Sequence, residues 1–283
     1  MKKIAYIIDS ASFFTEQEAF DYGFVYLPLQ VVINNQSFKE GKDLDHEYLV
    51  YSLTNKKEVS TSQPSPSDVE EMIERLKKEN YDCAIYASIG SGLSSTLGNV
   101  ISQGKNLNFK IYPLDSCCVG FIQIMPLLKV RRLIEQDDLD IEEALNIVRR
   151  DIESSRTFML VDDLFFLMRG GRLTPAAAAL GTMLKIKPLL RLDVNQKGKI
   201  DVVEKIRSSK KAIKLMAKYA LEGIDEKKYN IALASFEAEE NIKLLKEEIF
   251  KINPRIKYEH YNVGAVISAH TGLNVIGIQV IPK

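Results

Sequence analysis

The 283-residue chain is predicted to be an α/β protein of two domains, an N-terminal mostly parallel α/β sheet domain and a C-terminal α/β domain with a mixed or antiparallel sheet. Three observations carry this reading. Apolar runs rich in Ile, Val and Tyr alternate with helical patterns through the first half, as parallel strands with crossover helices require. After Ser155 the texture changes to a strand pair around Asn195-Gln196-Lys197-Gly198, an antiparallel hairpin signal. The length suffices for two cores, and no long linker separates them. The boundary is placed near Ser154, giving domains over residues 1–154 and 155–283, with a ligand cleft expected between them.

Each element rests on a local signal. Ile4 to Ile8, Cys83 to Ser88 and Lys110 to Leu114 are predicted as the parallel strands. Ser67-Asp68-Val69-Glu70 is read as a capping box opening the helix before the second of these, and Asp140-Ile141-Glu142-Glu143 as a similar start. Asn34-Asn35, between Val31-Val32-Ile33 and Gln36-Ser37-Phe38, predicts a small hairpin. In the second domain Lys187 to Asp193 and Lys199 to Glu204 are predicted as the hairpin arms. Strands at Tyr229 to Ser235, Lys257 to Asn262 and Val275 to Ile281 are expected between helices from Ser209 to Leu221 and Ala238 to Lys251. Thr174-Pro175 is a helix start, with Thr174 as cap and Pro175 at the first helical position, where its missing donor costs nothing. The following Ala176 to Leu184 has no charged face, so every side is expected to meet protein or an apolar ligand.

Bulk properties narrow the function. Apolar residues are 46% and charged residues 27% of the chain, ordinary for a globular protein. With 38 basic and 38 acidic residues and no basic stripe interleaved with aromatics, nucleic acid is not expected as a partner. No run approaches the roughly 20 apolar residues of a membrane span. Met1-Lys2-Lys3 leads into Ile4 to Ile8 and reaches Asp9 too soon for a signal peptide, so a cytoplasmic location is expected. Cys83, Cys117 and Cys118 contain no CxxC, which predicts neither a disulfide framework nor a metal site, and no cofactor motif is found.

The chemistry gathers at predicted strand ends, where open α/β sheets bind ligands. Asp9-Ser10, Ser91-Gly92-Leu93-Ser94 and Asp115-Ser116 follow the three parallel strands, and Ser60 to Ser65 forms a hydroxyl-rich extended loop. Hydroxyls and backbone amides of this kind cradle carboxylate or phosphate oxygens. Arg169-Gly170-Gly171-Arg172 adds two cations around a turn, beside Phe165 and Phe166. Of the three histidines, His270 alone sits in an apolar segment and is a candidate carboxylate partner. A Ser/His esterase or thioesterase with His270 as base is the rival chemistry; Gly90-Ser91-Gly92 is not a G-x-S-x-G elbow, and no third residue is identifiable to orient the imidazole.

Taken in order, Asp9-Ser10, Thr61-Ser62-Gln63-Pro64, Ser91-Gly92-Leu93-Ser94, Asp115-Ser116, Arg169-Gly170-Gly171-Arg172, Leu184-Lys185-Ile186-Lys187-Pro188, Lys205-Ile206-Arg207 and His270-x-Gly272 resemble the DegV family over essentially the whole chain. The resemblance implies a protein that binds a long-chain fatty acid between its domains, like the FakB subunits of fatty acid kinase. It implies a carrier without catalysis of its own, whose bound carboxylate is phosphorylated by a separate FakA-like kinase subunit for phospholipid synthesis. A regulatory lipid sensor with no kinase partner is the alternative within the same ligand class.

By position, the resemblance implies that Thr61, Ser62, Ser91, His270 and Arg172 hold the carboxylate. Ser94, Ser116, Phe165, Phe166, Ala176, Ala179, Met183 and Ile267 are expected in the cleft or acyl tunnel, and Arg172 and Arg207 on a docking surface for the partner. The chain departs from the family at Gly272-Leu273-Asn274, where a Gly-Pro-Gly is usual, and at Gly90, where a serine is common.

Overall fold

The computed structural model describes residues 2–162, 164–179 and 186–283. The first strand, β1 (Ile4–Asp9), is followed by helix α1 (Glu16–Asp21) and a short strand β2 (Val25–Leu27). The hairpin β3 (Gln30–Ile33) and β4 (Gln36–Lys39) turns on Asn34 and Asn35, both at positive φ, which asparagine tolerates better than most residues. Helix α2 (His46–Thr54) leads to β5 (Val59–Ser62), so the hydroxyl-rich segment expected as a loop is partly a strand. It pairs antiparallel with β3, completing a three-stranded sheet in the order β4-β3-β5.

Helix α3 (Pro66–Lys78) starts two residues earlier than its predicted box. Ser65 is the cap and accepts from the Asp68 amide at 3.1 Å, and Pro66 takes the first turn. The reciprocal partner is therefore Asp68, not Glu70. Then come β6 (Cys83–Ser88), α4 (Thr96–Asn106), β7 (Lys110–Asp115), α5 (Phe121–Glu135) and α6 (Ile141–Glu153), the last capped by Asp140 as expected. Strands β2-β1-β6-β7 form one parallel sheet. Both faces are covered: Ile7, Ala84 and Tyr86 point into the α3/α4 layer, while Ile8, Ile85 and Ala87 point the other way, into the core that contains α5 and α6. That is why β1 and β6 read as unbroken apolar runs rather than alternating ones.

The second half contributes β8 (Arg156–Leu160), α7 (Phe165–Gly170), α8 (Pro175–Ala178), β9 (Leu189–Asp193) and β10 (Lys199–Glu204). It continues through α9 (Ser209–Leu221), β11 (Tyr229–Phe236), α10 (Glu239–Ile252), β12 (Glu259–Asn262), α11 (Ala265–Thr271) and β13 (Val275–Pro282). Its strands form a mixed sheet, β10-β9-β8-β13-β11-β12, antiparallel except for the β11–β12 pair. Helices α9 and α10 cover its outer face through Ile213, Met216 and Leu245. Its inner face, with Met159, Leu190 and Ala232, shares one core with α5, α6 and the parallel sheet. The two sheets are thus joined through a common helical layer.

Two helices near the join were not predicted. The Gly170-Gly171 turn is the end of α7, with Gly171 at φ +70° as the left-handed C-cap. Helix α11 follows β12 in sequence yet packs on β3 and β5 of the small sheet and on α7. Helix α8 is capped by Thr174, whose hydroxyl accepts from the Ala177 amide and donates to Asp201. In the described part of this helix Ala177 is buried by protein while Ala176 and Ala179 are exposed. A methyl side chain gains little from burial, so these positions tolerate water. Met183 lies outside the described residues. Among the described residues no helix is long and apolar enough to cross a membrane.

Candidate functional site

A cavity of about 520 Å³ opens where the carboxyl ends of the parallel strands face α7, α11 and the β9–β10 hairpin. Its size is that of a small-molecule site. Four separate segments reach it: the end of β5 with Thr61, Ser62 and Gln63, the turn after β6 with Ser91 and Ser94, the turn after α7 with Arg172, and one face of α11. On that helix Val266 and His270, and Ile267 and Thr271, lie four residues apart and so stack on the same side. Leu29, Ile89, Val119, Met159 and Leu192 supply apolar wall.

His270 is the centre of the polar part. Its Nε2 shares a 2.7 Å hydrogen bond with Thr61 Oγ1, joining two residues 209 positions apart. Gly170 lies against the other ring nitrogen, so closely that a Cβ there would overlap Nδ1. Burial, then the positive charges of Arg172 and Arg169, hold the imidazole down to about 4. It is neutral at pH 7. Arg172 donates from Nε to Leu93 O at 3.0 Å and from Nη1 to Gly170 O, which ties the guanidinium to both the Ser91 turn and the His270 contact. Partial burial lowers the pKa of this guanidinium.

The remaining hydroxyls differ in state. Ser91 Oγ is buried and without a hydrogen-bond partner, as is Gln63 Oε1. Ser62 is exposed at the rim, and Ser94 Oγ is engaged with Thr96 Oγ1 at 2.7 Å. A buried polar atom left unpaired costs free energy, so Ser91 and Gln63 are groups that a ligand oxygen or amide would satisfy. Neutral donors around one guanidinium suit a single carboxylate, whose charge would offset the burial of Arg172.

Other expected residues lie elsewhere. Ser116 is buried in its own turn, with Oγ donating to Cys118 O at 3.0 Å. Phe166 packs into the core where Gly272 lacks a side chain, and Phe165 is 40% exposed. Ala176 and Ala179 are exposed, and so is Arg207; none of these lines the cavity. Arg169 turns away to donate to Lys57 O at 3.2 Å and to Val59 O, so the two cations around the Gly-Gly turn serve different purposes. The turn still needs its glycines, one for the imidazole and one for positive φ.

Sequence reasoning missed Gly170, Gln63 and Lys199, which contact His270 or line the cavity, and the role of Gly90. A Cβ on Gly90 would stand 2.7 Å from Lys197 O and 2.8 Å from the Cys118 amide nitrogen. After His270, Gly272 has φ +73° and Asn274 has φ +58°, a left-handed position that asparagine adopts more readily than most residues. Cys117 and Cys118 are pushed up to about 12 and about 11 by burial, with Asp115 adding to the former, so both favour the thiol over the thiolate at pH 7. Among the described residues no cluster of His, Cys, Asp or Glu could hold a metal ion.

Fold and site together define a two-domain α/β protein with a cavity that has both an apolar wall and a cluster of hydroxyls around Arg172 and His270. The DegV family model matches residues 3–283, and the chain belongs to that family. It is 30% identical to protein DegV of Bacillus subtilis over 282 residues, covering 97% of this chain and 98% of that one. Among solved structures, the fatty acid binding DegV family protein of Streptococcus agalactiae superposes with a TM-score of 0.88 at 27% identity, covering 100% of both chains. DegV of Bacillus subtilis, described as a fatty acid binding protein, superposes with a TM-score of 0.86 at 29% identity, again over 100% of both chains.

Proposed function

We propose that this protein binds one long-chain fatty acid between domains divided near residues 154 and 155 and presents the carboxylate to a separate kinase subunit, whose acyl phosphate product enters phospholipid synthesis. The observation that carries the reading is the pairing, in one cavity, of an apolar wall (Leu29, Ile89, Val119, Met159, Leu192) with the Thr61, Ser91, Arg172 and His270 set. Two solved relatives above 25% identity that are described as fatty acid binding support it. A sixteen-carbon tail buried at about 0.8 kcal/mol per methylene contributes on the order of 12 kcal/mol before ordering costs. The tail therefore supplies the affinity. The polar set prevents the penalty of an unpaired buried carboxylate and fixes which end meets the partner. Ser62, at the rim, and Arg207, on the surface, belong in this reading to the mouth and to partner docking.

The Thr61–His270 hydrogen bond favours one other reading, an esterase with a threonine nucleophile. An imidazole held near 4 is a weak base, and its Nδ1 meets Gly170 rather than a carboxylate that would orient it. The carrier is the better account. Mass spectrometry of the purified protein under native and denaturing conditions tests it. A mass excess that matches a fatty acid and vanishes on unfolding is expected; its absence from protein made under several growth conditions would sink the proposal. Transfer of phosphate to the bound ligand by a kinase subunit separates the carrier from a lipid sensor.

A further inference from the structure

Of the head-group hydroxyls, only Ser91 Oγ is both buried and unpartnered, since Thr61 bonds His270 and Ser62 is exposed. Its direction depends on the turn after β6, which belongs to no helix or strand. That turn is held from outside. Gly90 N donates to Cys118 O at 2.7 Å, Ser91 N to Asp115 Oδ1 at 3.1 Å and Gly92 N to Lys197 O at 2.9 Å. The same Asp115 oxygen accepts from Cys117 N at 2.9 Å, so one carboxyl oxygen ties the turn after β6 to the turn after β7. The tip of the β9–β10 hairpin clamps the next residue, and a Cβ on Gly92 would stand 2.6 Å from Gln196 O.

Three consecutive amides are thus consumed within the protein. None remains to cradle a ligand oxygen, contrary to what a serine- and glycine-rich turn suggests. Recognition by this turn falls to the Ser91 side chain, whose aim is set by the peptide that Asp115 holds.

We infer that Asp115 is a positioning residue for the ligand head group, fixing the Ser91 amide so that Ser91 Oγ faces the cavity. It acts through Ser91 and does not touch the ligand. The inference rests on the fatty acid reading above. The test is displacement of the fluorescent fatty acid cis-parinarate by palmitate in wild type, Asp115→Ala, Asp115→Asn, Ser91→Ala and the Asp115→Ala/Ser91→Ala pair, with ligand-free melting as the control for folding. Asp115→Ala should weaken binding about tenfold, the worth of one directed hydrogen bond to a charged group. Asp115→Asn keeps the Oδ1 acceptor and should stay within about twofold of wild type, and the pair should bind no more weakly than Ser91→Ala alone. A full further loss in the Ser91→Ala background, or failure of Asn to rescue, overturns the inference. If Asp115→Ala does not fold, Asp115→Glu, which displaces the oxygen by one methylene, supports the same comparison. Wild-type protein that binds no parinarate at all overturns the fatty acid reading and this inference with it, an outcome distinct from binding that is indifferent to Asp115.

Discussion

Titrating His270 tests the site most directly. In the unfolded chain an imidazole titrates near 6.5, whereas in the folded, ligand-free protein burial and the two arginines hold His270 to about 4. Above 6.5 the ring is neutral in both states and its contribution to stability is fully present. As pH falls, the unfolded chain takes up the proton first, so stability is lost progressively between 6.5 and 4. The difference corresponds to about 3 kcal/mol. An anionic head group beside the ring opposes the arginine charges and raises the pKa, so ligand binding between pH 4.5 and 6.5 should be accompanied by protonation of His270. The assay is NMR titration of the His270 ring, assigned with His270→Gln, without ligand and with a medium-chain fatty acid below its micelle concentration. A ligand-free ring that titrates near 6.5, or one that ligand leaves unmoved, would refute both the burial argument and the placement of the head group. Denaturation of wild type and His270→Gln from pH 7 to pH 4 should show the variant losing less stability by the same amount.

Three further outcomes follow from the geometry. Gly170→Ala forces the imidazole to move and should weaken fatty acid binding by about tenfold or more, with a stability loss of about 1–3 kcal/mol in urea unfolding; unchanged affinity would remove Gly170 from the site. Glu40 is buried, accepts from Val266 N at the start of α11 at 2.9 Å, and is raised by burial to about 7 from 4.5, so its contribution is present at acid pH and lost as pH rises through 7. Glu40→Gln keeps the acceptor and should gain up to about 3 kcal/mol over wild type at pH 8 and little at pH 4, measured by chemical denaturation. Arg172→Glu should release bound lipid, seen by native mass spectrometry, because Arg172 lines the cavity, whereas Arg207→Glu should retain it and lower only phosphorylation by a kinase partner.

The sequence alone determined the parallel core strands, several helix starts and the hairpin at Asn195 to Gly198, because alternation, capping side chains and turn residues are local physics written over a few neighbours. Ser91 was legible as a hydroxyl beside a strand end, Thr61 within a hydroxyl-rich segment and Arg172 as a cation beside the Gly170-Gly171 turn, for the same reason. Tertiary structure decided how they are used. That Thr61 meets His270, that Gly170 sits against the ring and that Asp115 holds the Ser91 amide are contacts between segments far apart in the chain. Helix α11, seven residues long, is too short to show a helical period and is held by packing on the small sheet and α7. The low pKa of His270 belongs to the same class: burial and the approach of two arginines exist only once the chain has folded around the ring, so no local pattern can encode them.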